Sequence, residues 1–355
     1  MNAEAVSQQP GWATRGNLGK QIASALGNLT LEKVVEQGFA NARSNAVHAS
    51  RGQDILSLSD TPLMEGTRAL VIAAGPSLHR QETGKMIKES GFDGVIIATD
   101  SVLCWCLRQG IIPHLVVTLD PHPERIVRWF GDPHLTEEAL SRDDYFARQD
   151  MDPHFRADQI RFNREVIDLI DTYGPQIRIA VASSASPAVS GRIFESGMQP
   201  YWWNPMYDDY DVAGSLTQKI HAMNRLPCLN AGGNVGTACW VIAHAVLGKE
   251  RVGLVGMDFG YYPETPYVQT QYYKEILELV GPDRLEEIYV RLFNPHAHQE
   301  FYTDPAYLWY RNVFLEMVSG AGCETHNCTG GGILFGPGIH WGALKDFLSA
   351  TDGKE

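Results

Sequence analysis

Residues 70–78, with the sequence LVIAAGPSL, constrain the fold more than any other segment of this chain. The apolar run is of the kind that forms a buried strand, and it ends abruptly at Gly75-Pro76-Ser77. The residues that follow predict a helix over residues 79–90. A strand, a tight turn and a helix N-terminus direct free backbone N–H groups above a sheet, where the helix dipole favours an anion such as a phosphate. Because the turn has a single glycine and no lysine, the usual dinucleotide and P-loop fingerprints are disfavoured.

From residue 68 onward, strand-like and helix-like patterns alternate. The strand candidates are continuous apolar runs, which are typical of a parallel sheet buried on both faces. We therefore predict an α/β protein with a Rossmann-like, doubly wound and mostly parallel sheet. The predicted strands cover residues 69–74, 94–99, 115–119, 177–182, 199–203 and 251–257. The predicted helices between them cover residues 79–90, 101–109, 123–130, 186–195, 215–224 and 234–247.

The remaining segments divide the chain into a cap and a main domain with insertions. Residues 1–65 show helical periodicity without strand patterns, and we interpret them as a helical N-terminal cap that could also form a homo-oligomer contact. Residues 66–350 form the predicted main domain. Irregular insertions interrupt it near 131–160 and 259–305, and its last predicted elements are a helix over 307–320, a short strand near 324–327 and a helix over 341–348.

Composition limits the class of protein. The chain has 29 basic and 42 acidic side chains and a net charge of −13, which argues against a nucleic-acid partner but permits a locally held phosphate. Its six cysteines lack Cys-x-x-Cys spacing and a disulfide framework, so we expect free thiols and no zinc site. The sequence shows no signal peptide and no apolar run near the ~20 residues of a membrane span. These features predict a cytoplasmic protein without a transmembrane segment.

Three of the predicted strands run directly into an aspartate. Asp100, Asp120 and Asp258 follow them, and Ser101 stands beside the first. Because ligands bind outside the carboxyl ends of parallel strands, the three carboxylates should share one edge of the sheet with the Gly75 turn. A single aspartate at such a place is more often a helix N-cap, but three of them favour a site. They are also candidate ligands for Mg²⁺.

Two further segments carry candidate functional side chains. Gly232-Gly233-Asn234 precedes an apolar helix, so it could let a ligand approach the backbone, or it could be a tight turn whose asparagine caps the helix. The region after Asp258 contains several tyrosines and then His296 and His298. Either histidine could act as a general base, and the tyrosine hydroxyls could bind a phosphate. The alternative is a surface loop whose aromatic residues pack on the sheet edge.

Together these motifs resemble the family named for the archaeal 6-hydroxymethylpterin diphosphokinase. The same domain forms the core of bacterial motility accessory factor proteins, which are flagellin glycosyltransferases for nonulosonic acids. The resemblance covers roughly residues 45–350 and rests on residues 74–78, 99–101, 110–113 with 120–121, 232–235, 254–258, 302–304 and 327–332. More distantly, the chain is similar to bacterial lipooligosaccharide sialyltransferases, which share a Gly-Pro-Ser-Leu turn.

The resemblance implies roles for individual residues. Gly75, Pro76 and Ser77 would bind the nucleotide phosphate, and Tyr261 or Tyr262 would contact the leaving phosphate. His296 or His298 would be the base. Asp100 and Asn234 would lie along the nucleotide. We also predict that the nucleotide is bound by Ser101, Asp120, Gly232, Gly233 and Thr329, and that Asp258 is a catalytic residue together with the histidine.

Three functions follow as alternatives. The first is a glycosyltransferase that moves a sialic-acid-like sugar from a CMP-activated donor to a hydroxyl of a glycan or protein acceptor. The second is a Mg²⁺-dependent pyrophosphokinase that uses ATP and 6-hydroxymethyl-dihydropterin, with carboxylates holding the metal. The third is a nucleotide-binding protein without catalytic activity.

Overall fold

The computed structural model describes residues 18–23, 31–142 and 159–350, and it confirms the predicted Rossmann-like α/β fold. Most of the strands lie in one large parallel sheet. The strands in chain order are β1 (Gln53–Asp54), β2 (Arg68–Ile72), β3 (Val95–Thr99), β4 (Leu115–Thr118), β5 (Arg178–Ala182), β6 (Gln199–Pro205), β7 (Cys228–Leu229), β8 (Arg251–Val255), β9 (Val290–Asn294), β10 (Gln299–Thr303), β11 (Glu324–Asn327) and β12 (Ile339–Trp341).

The order of the strands places a topological switch point beside β2. Along the sheet the order is β1-β6-β5-β4-β3-β2-β8-β11-β12, with β7 paired to the end of β6, and each of these pairings is parallel. The chain moves outward from β2 through β3, β4 and β5 and later returns to the other side of β2 as β8. A crevice therefore forms outside the carboxyl ends of β2 and β8, where open α/β sheets bind their ligands.

Helices cover both faces of the sheet. In chain order they are α1 (Leu31–Ser44), α2 (Ala46–Ala49), α3 (Thr83–Ser90), α4 (Leu103–Arg108), α5 (Glu137–Arg142), α6 (Gln159–Tyr173), α7 (Pro187–Glu195), α8 (Leu216–Asn224), α9 (Val235–Val241), α10 (Tyr273–Val280), α11 (Leu285–Ile288), α12 (Pro305–Ser319) and α13 (Leu344–Ser349). Residues 18–23 are also helical. In the part of the chain that the structure describes, no helix has the length and apolar character needed to cross a membrane.

The apolar runs of the strands fold this way because alternate side chains enter cores on opposite faces. Val71 packs with Trp240 of α9 and Phe314 of α12, whereas the neighbouring Ile72 packs with Phe347 of α13. A third cluster joins β4 and β5 to α6 and α7. A strand buried on both faces needs apolar residues at every position, so the sequence pattern and the architecture agree.

The predicted strands and helices are confirmed except at several connections. Residues 76–79 form a 3₁₀ turn, so that α3 begins four residues later than predicted, and Ile126–Phe130 is also a 3₁₀ helix. Residues 1–65 are not strand-free, because β1 pairs with β6. The helix predicted over 234–247 continues from α9 as a π-helix, Ile242–Val246.

Two predicted irregular or helical segments contain strands instead. The 259–305 insertion holds the antiparallel hairpin of β9 and β10 as well as α10 and α11. β12 occupies the start of the helix predicted over 341–348, so that α13 begins at Leu344. The part of the first insertion over 143–158 lies outside the described residues.

Candidate binding site at the switch point of the sheet

A cavity of about 880 Å³ lies at the carboxyl ends of the central strands. Its lining comes from residues 73–76, 99–101, 119–123, 230–236 and 256–261, and from side chains at the start of α12. Small-molecule sites usually have volumes of about 300–1,000 Å³, so this cavity has the size of a ligand site. It brings together most of the residues that the sequence predicted, but not all of them.

The Gly75 turn lies in close contact with the residues that follow β8. The Gly75 N–H donates to the Gly256 carbonyl at 2.9 Å, and Ser77 donates to the Asp258 carboxylate from its N–H at 3.3 Å and from its hydroxyl at 2.8 Å. Pro76 has no N–H to offer. These groups, which the sequence predicted to be free for a phosphate, are therefore engaged within the protein. Gly75 and Pro76 line the cavity, whereas Ser77 does not.

Asp100 lies buried at the end of β3. Its Oδ1 accepts the Ser101 N–H at 2.7 Å and its Oδ2 accepts the Thr118 hydroxyl at 2.8 Å. Burial raises the pKa of this carboxyl to about 7, hydrogen bonds from Thr118 and Ser101 oppose the shift, and the negative charge of Asp120 adds to it. Asp100 is therefore a carboxyl that changes charge near neutral pH.

Asp120 is exposed at the cavity, on the loop that follows β4. Its Oδ1 accepts the His122 N–H at 2.8 Å, which is an Asx turn. His122 also lines the cavity, and its Nδ1 accepts the N–H groups of Glu124 and Arg125, each at 3.2 Å. This pattern indicates a neutral ring with its proton on Nε2. Sequence reasoning missed His122, although its place two residues after Asp120 was a usable signal.

The Gly232-Gly233-Asn234 turn has both of the roles that the sequence left open. The Asn234 side chain accepts the Thr237 N–H at 2.9 Å and so caps α9, while the turn and the first residues of α9 line the cavity. Gly233 has φ of +81°, and a Cβ there would stand 2.7 Å from the Trp309 ring. The N-terminus of α9 thus opens onto the cavity, where its dipole favours an anion.

Tyrosines form the opposite wall of the cavity. We define the tyrosine wall as Tyr261, Tyr272, Tyr307 and Tyr310. Tyr261 was predicted, and Tyr272 belongs to the tyrosine-rich region that the sequence singled out. Tyr307 and Tyr310 were missed because their place at the cavity depends on how α12 folds back onto the sheet.

Hydrogen bonds hold the tyrosine wall in place. The Tyr261 hydroxyl donates to Asp304 at 3.1 Å and accepts the Gln271 N–H at 3.0 Å, and the Tyr307 hydroxyl donates to the Gln271 side chain. Asp304 is fully buried and also accepts the Tyr307 N–H at 2.9 Å as the N-cap of α12. Burial raises the pKa of Asp304 to about 6, against the effect of these hydrogen bonds.

Helix α1 forms another part of the cavity. Gln37 lines it, and the buried Asn41 donates from Nδ2 to the carbonyls of Pro121 and Ser184, at 2.9 and 2.8 Å. Asn45 similarly donates to the carbonyls at 183 and 185. The sequence assigned this segment to a cap, but α1 holds the loops that surround Asp120.

Besides Ser77, four predicted residues do not line the cavity. Tyr262 lies under the Arg80 guanidinium, 3.8 Å from the ring centroid, and Thr329 is buried and accepts the Met257 N–H at 3.3 Å. His296 is exposed and stacks on Trp341 with ring centroids 5.2 Å apart, and His298 lies in the turn between β9 and β10. Their predicted roles toward a nucleotide or a proton stay predictions without support from the cavity geometry.

The three aspartates do not form a metal centre by themselves. Within the described ranges, no group of three or more His, Cys, Asp or Glu side chains is placed to hold a metal ion. Both oxygens of Asp100 and both oxygens of Asp258 already accept hydrogen bonds from the protein. The magnesium site predicted at these three carboxylates stays a prediction.

The chain is a doubly wound α/β protein with a cavity at the switch point of its sheet. Residues 39–129, about a quarter of the chain, match the model of the family described as 6-hydroxymethylpterin diphosphokinase MptE-like. Over those residues the match confirms the resemblance that the sequence motifs indicated.

Solved structures similar to this chain exist, whereas no curated protein matches. The structure of a MAf glycosyltransferase from Magnetospirillum magneticum AMB-1 is similar with a TM-score of 0.48 and 13% identity, covering 79% of this chain and 34% of that one. This chain thus spans about a third of the length of that protein.

Proposed function

We propose that the chain is a transferase that binds a nucleotide-activated donor in the switch-point cavity. More specifically, we propose a glycosyltransferase that moves a sialic-acid-like sugar from a CMP-activated donor to a hydroxyl of a glycan or protein acceptor. The observation that carries the proposal is the composition of the cavity: a glycine-rich turn with a helix N-terminus, aspartates at the strand ends, and a tyrosine wall.

The size and polarity of the cavity suit such a donor. A volume of about 880 Å³ is near the upper end for small-molecule sites, which leaves room for a nucleotide and a sugar. The α9 N-terminus and, within the tyrosine wall, the Tyr310 hydroxyl are groups that can hold a single phosphate as it departs. The aspartates and Asn234 are groups that bind hydroxyls of ribose or of a sugar.

The charge of the cavity distinguishes the two transferase alternatives. Its described lining contains Asp100, Asp120 and Asp258 but neither lysine nor arginine. A triphosphate carries several negative charges and needs cations to neutralise them in the transition state, whereas CMP leaves with one phosphate. The lining therefore favours glycosyl transfer over pyrophosphoryl transfer from ATP.

The pyrophosphokinase remains the second candidate because of one specific observation. The family that residues 39–129 match is described by a diphosphokinase activity, and that activity also transfers a group from a nucleotide. Such a reaction would need Mg²⁺ to arrive with the nucleotide phosphates, since the three aspartates do not form a ready metal site.

In the proposed reaction the cavity groups bind, orient and exclude water. The acceptor hydroxyl attacks the anomeric carbon, the bond to the CMP phosphate breaks, and the phosphate leaves with the bonding electrons. We further propose that the protein works in the cytoplasm, because its cysteines are free thiols. A homo-oligomer contact through residues 1–65 stays a prediction.

A ligand panel tests the proposal. Thermal unfolding is measured with CMP, CDP, ATP, AMP and GTP, each with Mg²⁺ and with EDTA, followed by an assay for CMP release from CMP-N-acetylneuraminic acid. We expect selective stabilisation by cytidine nucleotides, of about 2.7 kcal/mol at a concentration 100 times Kd. Tyr310→Phe, in the tyrosine wall, should weaken it, whereas Tyr210→Phe, away from the cavity lining, should not.

Three results would contradict the proposal. Stabilisation by ATP with Mg²⁺ alone would favour the pyrophosphokinase. Binding of CMP without any CMP release from the activated sugar would favour a nucleotide-binding protein without catalytic activity. Equal effects of the two tyrosine variants would show that the ligand binds elsewhere.

A further inference from the structure

The carboxylates at the cavity differ in how many of their oxygens are already engaged. Both oxygens of Asp258 accept hydrogen bonds from Ser77, and both oxygens of Asp100 accept bonds from its neighbours. Asp304, beneath the tyrosine wall, accepts one bond on each oxygen. In the described part of the chain, Asp120 alone of the four keeps an oxygen, Oδ2, without a hydrogen-bond partner, and it alone is exposed.

We propose that Asp120 is the catalytic base that accepts the proton of the acceptor hydroxyl. This role rests on the transferase function proposed above and names a residue for its chemical step. The sequence suggested a histidine at 296 or 298 for the role, but neither lines the cavity. The free Oδ2 of Asp120 is a carboxylate oxygen that an incoming hydroxyl can reach.

The surroundings of Asp120 fix its orientation. The Asx turn to the His122 N–H holds Oδ1, and Asn41 holds the next carbonyl along the loop, that of Pro121. The side chain is therefore positioned before any ligand binds, which is what efficient proton transfer requires. His122, the nearby alternative, has its Nδ1 occupied by two N–H groups, so its neutral ring offers a donor rather than a base.

Asp120 is close enough to Asp100 and to Tyr310 for its charge to act on both. Burial is the main cause that raises the pKa of Asp100 and of Tyr310, and the negative charge of Asp120 adds to both shifts. A base in this place can meet an acceptor that lies along the tyrosine wall while the donor lies over the strand ends.

The chemical step balances without a further reactant. The acceptor O–H bond breaks as its proton passes to Asp120 Oδ2, and an electron pair of that oxygen forms a bond to the anomeric carbon. The bond between that carbon and the phosphate oxygen breaks, and its electron pair leaves with CMP. The proton remains on Asp120 as a carboxylic acid and is then released to water.

The chain supplies a matched control for the test. Asp132 makes the same Asx turn, with Oδ1 accepting the His134 N–H at 2.8 Å in a second Asp-Pro-His sequence, and it does not line the cavity. Asn keeps the accepting oxygen, so both Asp→Asn variants should fold. The assay is CMP release from CMP-N-acetylneuraminic acid, with water as the acceptor hydroxyl, with Mg²⁺ and with EDTA.

We expect Asp120→Asn to lower kcat by about 10²-fold with CMP-induced thermal stabilisation preserved, because a general base contributes about 10²–10⁴-fold to the rate. Asp132→Asn should match the wild type. Three outcomes would overturn the assignment: equal activity of Asp120→Asn and the wild type, a loss that higher Mg²⁺ restores, or an equal loss in Asp132→Asn. A wild-type chain that binds CMP but releases none from the donor would overturn the proposed function and this role with it.

Discussion

Replacing Gly75 with alanine tests whether the main role of this glycine is to allow close contact between the turn after β2 and the residues that follow β8. A Cβ at this position would stand 2.1 Å from Asp258 Oδ2 and 2.4 Å from the Gly256 carbonyl oxygen, where ordinary contact begins near 3.4 Å. Alanine can adopt the φ of −64° found at Gly75, so the substitution is opposed by these short contacts and not by backbone conformation. To relieve them, the backbone must move by about 1 Å. Overpacking of this kind costs about 1–3 kcal/mol.

The displacement of Asp258 adds a second cost. Its carboxylate binds both the Ser77 N–H and the Ser77 hydroxyl, and a buried group that loses its partner costs about 1–3 kcal/mol. Together these costs reach about 2–6 kcal/mol. Since about 1 kcal/mol shifts Tm by about 2–4 °C in domains of 150–250 residues, we expect Tm to fall by about 4–24 °C.

Thermal and urea unfolding of Gly75→Ala, beside Gly191→Ala, measure this effect. Gly191 lies inside α7 with nothing within 4 Å of an added Cβ, so the control should be stabilised by about 0.5–1 kcal/mol. If Gly75→Ala keeps the wild-type Tm but loses stabilisation by nucleotides, the reasoning is refuted. Gly75 would then serve a phosphate, as the sequence predicted, rather than the packing of two strands.

Three further predictions concern the surroundings of the cavity. The folded-state pKa of Asp100 is raised to about 7, so the free energy of unfolding should fall as pH rises from about 4 to about 7, because the folded chain retains a proton that the unfolded chain releases; Asp100→Asn should reduce that slope in urea titrations and leave the part that Asp304 contributes up to about pH 6, and an unchanged slope would contradict the pKa of Asp100. Asn41→Ala leaves two carbonyls without their donor and should cost about 2–3 kcal/mol by urea unfolding; a loss below about 0.5 kcal/mol would show that α1 does not hold these loops. His296→Ala should leave CMP release within a few-fold of the wild type, since His296 does not line the cavity, and a loss of about 10²-fold would return the base to the position that the sequence suggested.

The sequence predicted the sheet and its carboxyl edge well because both follow from local patterns. Continuous apolar runs determine strands buried on both faces, and an aspartate directly after such a run must lie at the edge, as Asp100, Asp120 and Asp258 do. The sequence could not predict which groups were already paired. Ser77 and Asp258 are 181 residues apart in the chain, and only their contact shows that the turn is satisfied from within.

The prediction of His296 or His298 as the base also depended on contacts between distant parts of the chain. His296 has the right chemistry for a base, but a residue type does not determine where a hairpin is placed. β9 and β10 pair with each other rather than with the large sheet, and the turn between them places both histidines away from the cavity lining. The position of Asp120 follows from the end of β4, so it could be predicted without knowing any contact between distant parts of the chain.

The extent of the family match explains why the family alone does not determine the reaction. Residues 39–129 contain Gly75, Asp100 and Asp120, which line the cavity at the ends of β2, β3 and β4, and Asn41 of α1, which bonds the loop after β4. Asp258, the α9 turn and the tyrosine wall lie outside the match. If the matched half supplies the base and the unmatched half receives the leaving phosphate and the acceptor, relatives that share the first half can differ in the group they transfer. Specificity should then change with substitutions in the tyrosine wall, while substitutions at Asp120 should change the rate with every acceptor.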